Sequence, residues 1–169
     1  LRGGTLDGAT RGRALESIER NTQLLAQLVS DILDVSRIIT GKLRLDRGAV
    51  DLVPLVEAAL ESVRPAADAK NLRMALHAEG VIEPLLADGD RLLQVVWNLL
   101  ANAVKFTPEG GRVDVSVTGR PGSVEVAVQD DGAGIDPSFL PYVFDRFRQA
   151  DASTTRTHGG LGLGLSIVR

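Results

Sequence analysis

Apolar residues between about Arg11 and Ile39 recur at helical steps: Leu15, Ile18, Leu25, Leu28, Ile32, Val35 and Ile39, with Thr22 in the one gap. Glu16, Arg20, Gln27, Asp34 and Arg37 keep the other faces polar, so the pattern predicts one helix of about eight turns whose narrow stripe suits a bundle seam. Gly41 stops it. Lys42 to Leu52 reads as extended, and Pro54 opens a second helix that runs to about Ala69 across Pro65. Leu72 to Ala78 alternates as a strand, Pro84 to Ala87 forms a short one, and Asp88 caps a long helix. GRVDVSVTGR and SVEVAVQD are period-two strands joined by Arg120-Pro121-Gly122-Ser123. Gly132 to Gly160 is irregular with short helical pieces, and a last helix starts near Leu161. The order predicts an α+β two-layer α/β sandwich preceded by one long bundle-type helix.

The long helix after Asp88 contains an internal conflict. WNLLANAVKFTP, Trp97 to Pro108, is apolar at Leu99, Leu100, Ala103 and Val104, yet Asn98, Asn102 and Lys105 recur on one face, and Gln94 extends the row backwards. Two amides and an ammonium along a core helix need polar partners. Composition narrows what those partners are. A net charge of −3 without a long basic run argues against nucleic acid. The absence of cysteine removes disulfides, thiolate metal sites and cysteine nucleophiles, and fits a reducing, cytoplasmic compartment. Two histidines, His77 and His158, cannot build a histidine-rich metal centre. No apolar run reaches the roughly 20 residues that span a bilayer, so no membrane contact is expected within these 169 residues. The chain starts at Leu1 and stops inside LGLGLSIVR, which reads as a piece of a longer protein.

Glycine clusters supply the candidate chemistry. Val124, Val126 and Val128 face a core, so alternation puts Asp130 on the inward side and Asp131 outward, followed by Gly132 and Gly134 where backbone can approach a ligand. In HGGLGLGLSIV, Gly160, Gly162 and Gly164 alternate with leucines ahead of a helix, and amides exposed at such a start suit phosphate. It is neither a Walker loop nor a dinucleotide fingerprint. Between the clusters lies FLPYVFDRFRQADASTTRTHGG, which reads as a lid anchored by Phe144 and Phe147, with Arg146, Arg148 and Arg156 adding positive charge near a phosphate. His158 reads as a plain lid residue and His77 as structural or exposed.

In this order the asparagine helix, the Asp130 turn, the aromatic segment and the second glycine cluster resemble the N, G1, F and G2 boxes of the catalytic ATP-binding domain of sensor histidine kinases, from about Leu45 to the end. That Bergerat-type ATP-binding fold is shared with the ATPase domains of DNA gyrase, MutL and the large heat-shock chaperone. DVSRIITGKLRL looks like the end of the second helix of the dimerisation and phosphotransfer domain. The resemblance thus implies residues 1–43 as part of that region and 44–169 as a C-terminally truncated catalytic domain. It implies ATP with Mg2+, Asn102 and Asn98 coordinating the metal and supporting the phosphates, and Lys105, Arg146 and Arg148 on the phosphate side. Asp130 would accept the adenine amino group, with Gly132, Gly134, Phe106, Phe144 and Phe147 around the pocket. Gly160, Leu161, Gly162, Gly164 and Leu165 would line the phosphate side beneath the lid.

The implied reaction is transfer of the γ-phosphoryl of ATP to a histidine on a helical hairpin, for relay to a response-regulator receiver domain, within a homodimer of the full-length protein. Two features depart from the family pattern. Gln94 stands where related ATPases place a glutamate base for water, and a neutral amide cannot abstract a proton, so hydrolysis should be poor while transfer to imidazole is unhindered. No His-Glu-x-x-Thr-Pro box occurs, so the phosphoacceptor lies outside the 169 residues. The alternatives are a serine kinase of the anti-sigma-factor type and a non-catalytic, ATP-gated interaction module.

Overall fold

A computed structural model describes residues 8–149 and 162–168, and the chain divides between Lys42 and Leu43 into two compact units. The first is helix α1, Gly8–Ile39, with Leu15, Ile18, Leu25, Ile32 and Ile39 of its stripe exposed. Gly41 takes a left-handed φ of 62° and Lys42 N–H donates to the Arg37 carbonyl at 2.9 Å, closing the helix end as expected of a C-terminal glycine.

The second unit follows the predicted element order: β1 Gly48–Val50, α2 Leu52–Asp68, β2 Arg73–Glu79, β3 Leu85–Ala87, α3 Gly89–Phe106, β4 Arg112–Arg120, β5 Ser123–Asp130, and α4 Gly164–Val168. Boundaries shift where local chemistry decides them. The extended segment forms a ladder only over Gly48–Val50, antiparallel to β3. Leu52, not Pro54, starts α2, and Pro54 falls in the first turn, where a missing N–H costs no helical bond. Asn71, with φ 51°, supplies the left-handed residue after α2 that glycine supplies elsewhere, and Leu72 N–H returns to the Ala67 carbonyl at 3.0 Å. Helix α4 begins at Gly164; Leu161 lies outside the described residues.

The larger sheet has the order β2-β4-β5, with β2 parallel and β5 antiparallel to β4. The β4–β5 turn has Gly122 at φ 75°, which a Pro-Gly pair at its centre requires. Val113, Val115 and Val117 of the central strand are fully buried, while Asp114 and Ser116 alternate to the half-buried face. Against the buried face pack Val56, Ala59, Leu60 and Val63 of α2 with Val96, Leu100, Ala103 and Val104 of α3. The result is the expected two-layer α+β sandwich. Leu100, with no exposed surface, sits where truncation to alanine costs about 2–5 kcal/mol. Because α3 gives its apolar side to this core, its polar row runs down another side of the helix, buried at Asn98 and half-buried at Gln94, Asn102 and Lys105. Among the described residues no helix is long and apolar enough to cross a membrane.

Candidate functional site

Helix α3 is seated first at its start. Asp88 Oδ1 accepts from Arg91 N–H at 3.1 Å and Oδ2 from Asp46 N–H at 2.9 Å, so one carboxylate caps the helix and ties it to the segment before β1. Those backbone donors, Asp46 foremost, hold the Asp88 carboxyl below its ordinary pKa. One turn on, Gln94 Oε1 accepts from the Arg91 guanidinium at 2.8 Å.

Asn98 is the anomaly of the helix. It is 5% exposed, and its Nδ2 is buried without a hydrogen-bond partner. Its Oδ1 lies against the start of α4: a Cβ on Gly164 would stand 3.1 Å from that oxygen. The first residue of α4 is therefore glycine where the backbone passes the asparagine amide, which joins the amide row to the second glycine cluster. A buried donor without an acceptor costs about 1–3 kcal/mol, and an anionic oxygen is what would satisfy it. Asn102 is half-buried one turn on, and Lys105 follows, its Nζ 4.8 Å from the Phe106 ring centroid. Burial pushes the Lys105 ammonium below its ordinary pKa.

Around the Asp130 turn the structure corrects one expectation. Asp130 keeps the inward phase, paired with buried Val113, yet as the last residue of β5 it is exposed. Its Oδ1 accepts from Gly132 N–H at 2.9 Å, which curls the turn back on the carboxylate. A Cβ on Gly132 would stand 2.6 Å from Asp130 Oδ1 and 2.7 Å from the Phe106 carbonyl oxygen, so glycine here permits the end of α3 and the turn to touch. Gly134 needs its freedom differently, at φ 70°. Asp131 is structural, accepting from Arg112 N–H at 2.8 Å across the sheet end.

The aromatic segment gives a second correction. Phe144 and Phe147 are 42% and 63% exposed, so neither is an anchor. Phe147 holds a left-handed φ of 59°, and its N–H donates to the Gly162 carbonyl at 3.1 Å; this backbone conformation turns the ring outward. Gly162 itself has φ 69°, and a Cβ there would meet the Arg148 carbonyl oxygen at 2.6 Å. The chain before residue 150 and the chain after 161 are thus pinned side by side. Arg148 pairs with Asp145 at 3.0 Å and stacks on the Tyr142 ring at 3.7 Å, while Arg146 is exposed. Gly160, Leu161, Arg156 and His158 lie outside the described residues; Leu165 is half-buried in α4.

Three clusters therefore assemble: Asn98 with Gly164, Phe106 with Gly132 and Asp130, and Phe147 with Gly162. Lys70 was not foreseen. Its Nζ donates to the carbonyls of Val104 at 2.7 Å, Lys105 at 3.0 Å and Thr107, behind the polar row. Among the described residues no group of three or more His, Cys, Asp or Glu could hold a metal ion.

The family of histidine kinase-, DNA gyrase B- and HSP90-like ATPases matches residues 87–169. Hybrid signal transduction histidine kinase D of Dictyostelium discoideum is 38% identical over 194 residues, covering 96% of this chain and 12% of that protein. Full-length ShkA, solved in complex with AMPPNP, has a TM-score of 0.78 at 32% identity over 98% of this chain and 34% of its own. A mycobacterial sensor histidine kinase, MprB, gives 0.61 at 30% identity over 72% of this chain and 75% of its own. The chain spans only 12% and 26% of the first two curated relatives it matches.

Proposed function

The chain belongs to the catalytic ATP-binding domains of the sensor histidine kinases, among the histidine kinase-, DNA gyrase B- and HSP90-like ATPases, and on that basis we propose how its residues serve phosphoryl transfer. The observation that carries the reading is the buried, unpartnered Nδ2 of Asn98, a residue in line with Asn102 and Lys105 whose Oδ1 lies against Gly164 at the start of α4. A triphosphate supplies what the Asn98 amide lacks, an anionic oxygen for a buried donor, on the same helical face as the Lys105 ammonium. Gly162 and Gly164 let the start of α4 pass close to Arg148 and to the Asn98 amide, which brings that helix start to the amide row, and the exposed Asp130 carboxylate is left to accept from the adenine amino group.

The donor set also fits magnesium. With no carboxylate cluster among the described residues, the ion would be held by the side-chain oxygens of Asn102 and Asn98 together with phosphate oxygens, in keeping with its habit of taking few protein ligands. When bound, it neutralises charge on the phosphates. The chain's own part is to position ATP and exclude competing attack. In the transfer, the bond between the γ-phosphorus and the bridging oxygen breaks and a phosphorus–nitrogen bond forms to a histidine imidazole; ADP leaves, and the ring's proton passes to solvent. Gln94 offers no base to a water, which favours imidazole as the acceptor.

The acceptor histidine lies on a helical hairpin outside these 169 residues, and the phosphoryl passes on to a response-regulator aspartate. The full-length protein works as a homodimer, with this part in the cytoplasm. Isothermal titration with a non-hydrolysable ATP analogue tests the site. Binding should require magnesium and be lost in Asp130→Asn, whose amide presents a donor toward the adenine amino group; undiminished binding by that variant refutes the assignment. Incubation with ATP and a histidine-containing hairpin should give an acid-labile product, whereas an acid-stable one would favour serine transfer.

A further inference from the structure

Lys70 lies just past α2, yet both its backbone and its side chain serve the far end of α3. Its carbonyl accepts from Gly110 N–H at 2.9 Å, and its Nζ donates to the carbonyls of Val104, Lys105 and Thr107. The last carbonyls of a helix lack partners within it and form the negative end of its dipole, so an ammonium there is doubly favoured. Thr107, buried, takes the Ala103 carbonyl with both its N–H at 2.9 Å and its Oγ1 at 2.7 Å. The Phe106 carbonyl, between two that Lys70 takes, lies instead against Gly132 of the Asp130 turn. The final turn of α3 is therefore held from behind by Lys70 and pressed in front against the turn that presents Asp130.

We propose that Lys70 is a positioning residue for nucleotide: by holding the carbonyls on either side of Phe106, it sets where Lys105 projects and how Phe106 meets the Asp130–Gly132 turn. It acts through Lys105 and Phe106 and does not itself touch the ligand. The proposal rests on the nucleotide reading of the amide row. A plain helix cap would change melting temperature and leave the affinity of the folded protein untouched, which separates the two roles.

The test is a double-mutant cycle on the 169-residue chain, with trinitrophenyl-ATP and magnesium as the probe, at a temperature where circular dichroism shows every variant folded. Lys70→Met should weaken binding about tenfold, equivalent to about 1.4 kcal/mol. In a Lys105→Met background the same change should alter affinity by less than about twofold, because residues acting through one another are not additive. Wild-type affinity in folded Lys70→Met, or factors that simply multiply, overturns the proposal while leaving the nucleotide site standing. If the wild-type chain fails to bind the probe, the nucleotide reading falls and the proposal with it. Should Lys70→Met not fold, Lys70→Gln, whose amide can serve only part of the carbonyl set, should bind about threefold more weakly, and wild-type affinity in it is equally decisive.

Discussion

Replacing Asn98 by alanine should separate fold from function more cleanly than any other change in the site. The buried Nδ2 has no acceptor among the described residues, a state that costs about 1–3 kcal/mol, and alanine deletes that cost. Against this, truncation removes the packing of an amide that meets the start of α4, a loss of similar size and opposite sign. The nucleotide-free variant should therefore melt within about 4 °C of wild type, the shift expected for about 1 kcal/mol in a domain of this size. Nucleotide changes the balance. At a ligand concentration of about 100 times Kd, wild type gains about 2.7 kcal/mol, or roughly 10 °C. Loss of one hydrogen bond to a charged phosphate, at about 1.5–3 kcal/mol, lowers affinity up to about a hundredfold. At the same concentration the variant then gains only about 0.4 kcal/mol, under about 2 °C. Differential scanning calorimetry with and without a magnesium–ATP analogue reads both quantities. A collapse of about 10 °C in the nucleotide-free variant, or a full ligand shift retained in it, refutes the reasoning.

Other changes probe the remaining parts. Gly162→Ala places a Cβ 2.6 Å from the Arg148 carbonyl oxygen at a left-handed φ of 69°, so melting should fall by at least the about 1–2 kcal/mol that the conformation alone costs, with weaker nucleotide binding; unchanged melting speaks against the pinned arrangement. Burial lowers the Lys105 pKa from 10.5, and a phosphate would raise it again, so nucleotide affinity should fall as pH rises through the lowered value towards the ordinary one. Stability of the free protein runs the opposite way, since the cost of the buried ammonium is relieved as pH climbs from the lowered folded value to the ordinary one. Lys105→Met should flatten the affinity profile, and equal pH dependence in both proteins would show another group at work. Asp88, its pKa held below 3.8 by Asp46 and Arg91 N–H groups, should stabilise the fold above that ordinary value and lose its contribution as pH falls through the lowered one. Asp88→Ala should melt lower at neutral pH and lose less on acidification, and parallel melting curves across the acid range would contradict this.

What could be read from the chain depended on whether the physics was local. The valines of β4 and β5 and the apolar side of α3 are periodic, so the strands, the helices and their layering followed from spacing alone. The polar row of α3 was legible because it violates that same period, and it coincides with the buried donor left without an acceptor. Alternation, by contrast, says which face a residue shares and nothing about where cover ends, so Asp130 kept the phase of Val128 and lost its burial. Hydrophobicity suggested that Phe144 and Phe147 were anchors, but a backbone bond from Phe147 to Gly162 sets a left-handed φ that no side-chain pattern encodes. Lys70 left no signal whatever. Its three acceptors are main-chain carbonyls 34, 35 and 37 residues away, and any residue type presents a carbonyl. Groups that meet the ligand must be of particular types, and so mark the sequence. Groups that hold them in place bind backbone, and only the folded chain identifies them; substitution at Lys70 therefore tests the part of this site that sequence motifs leave out.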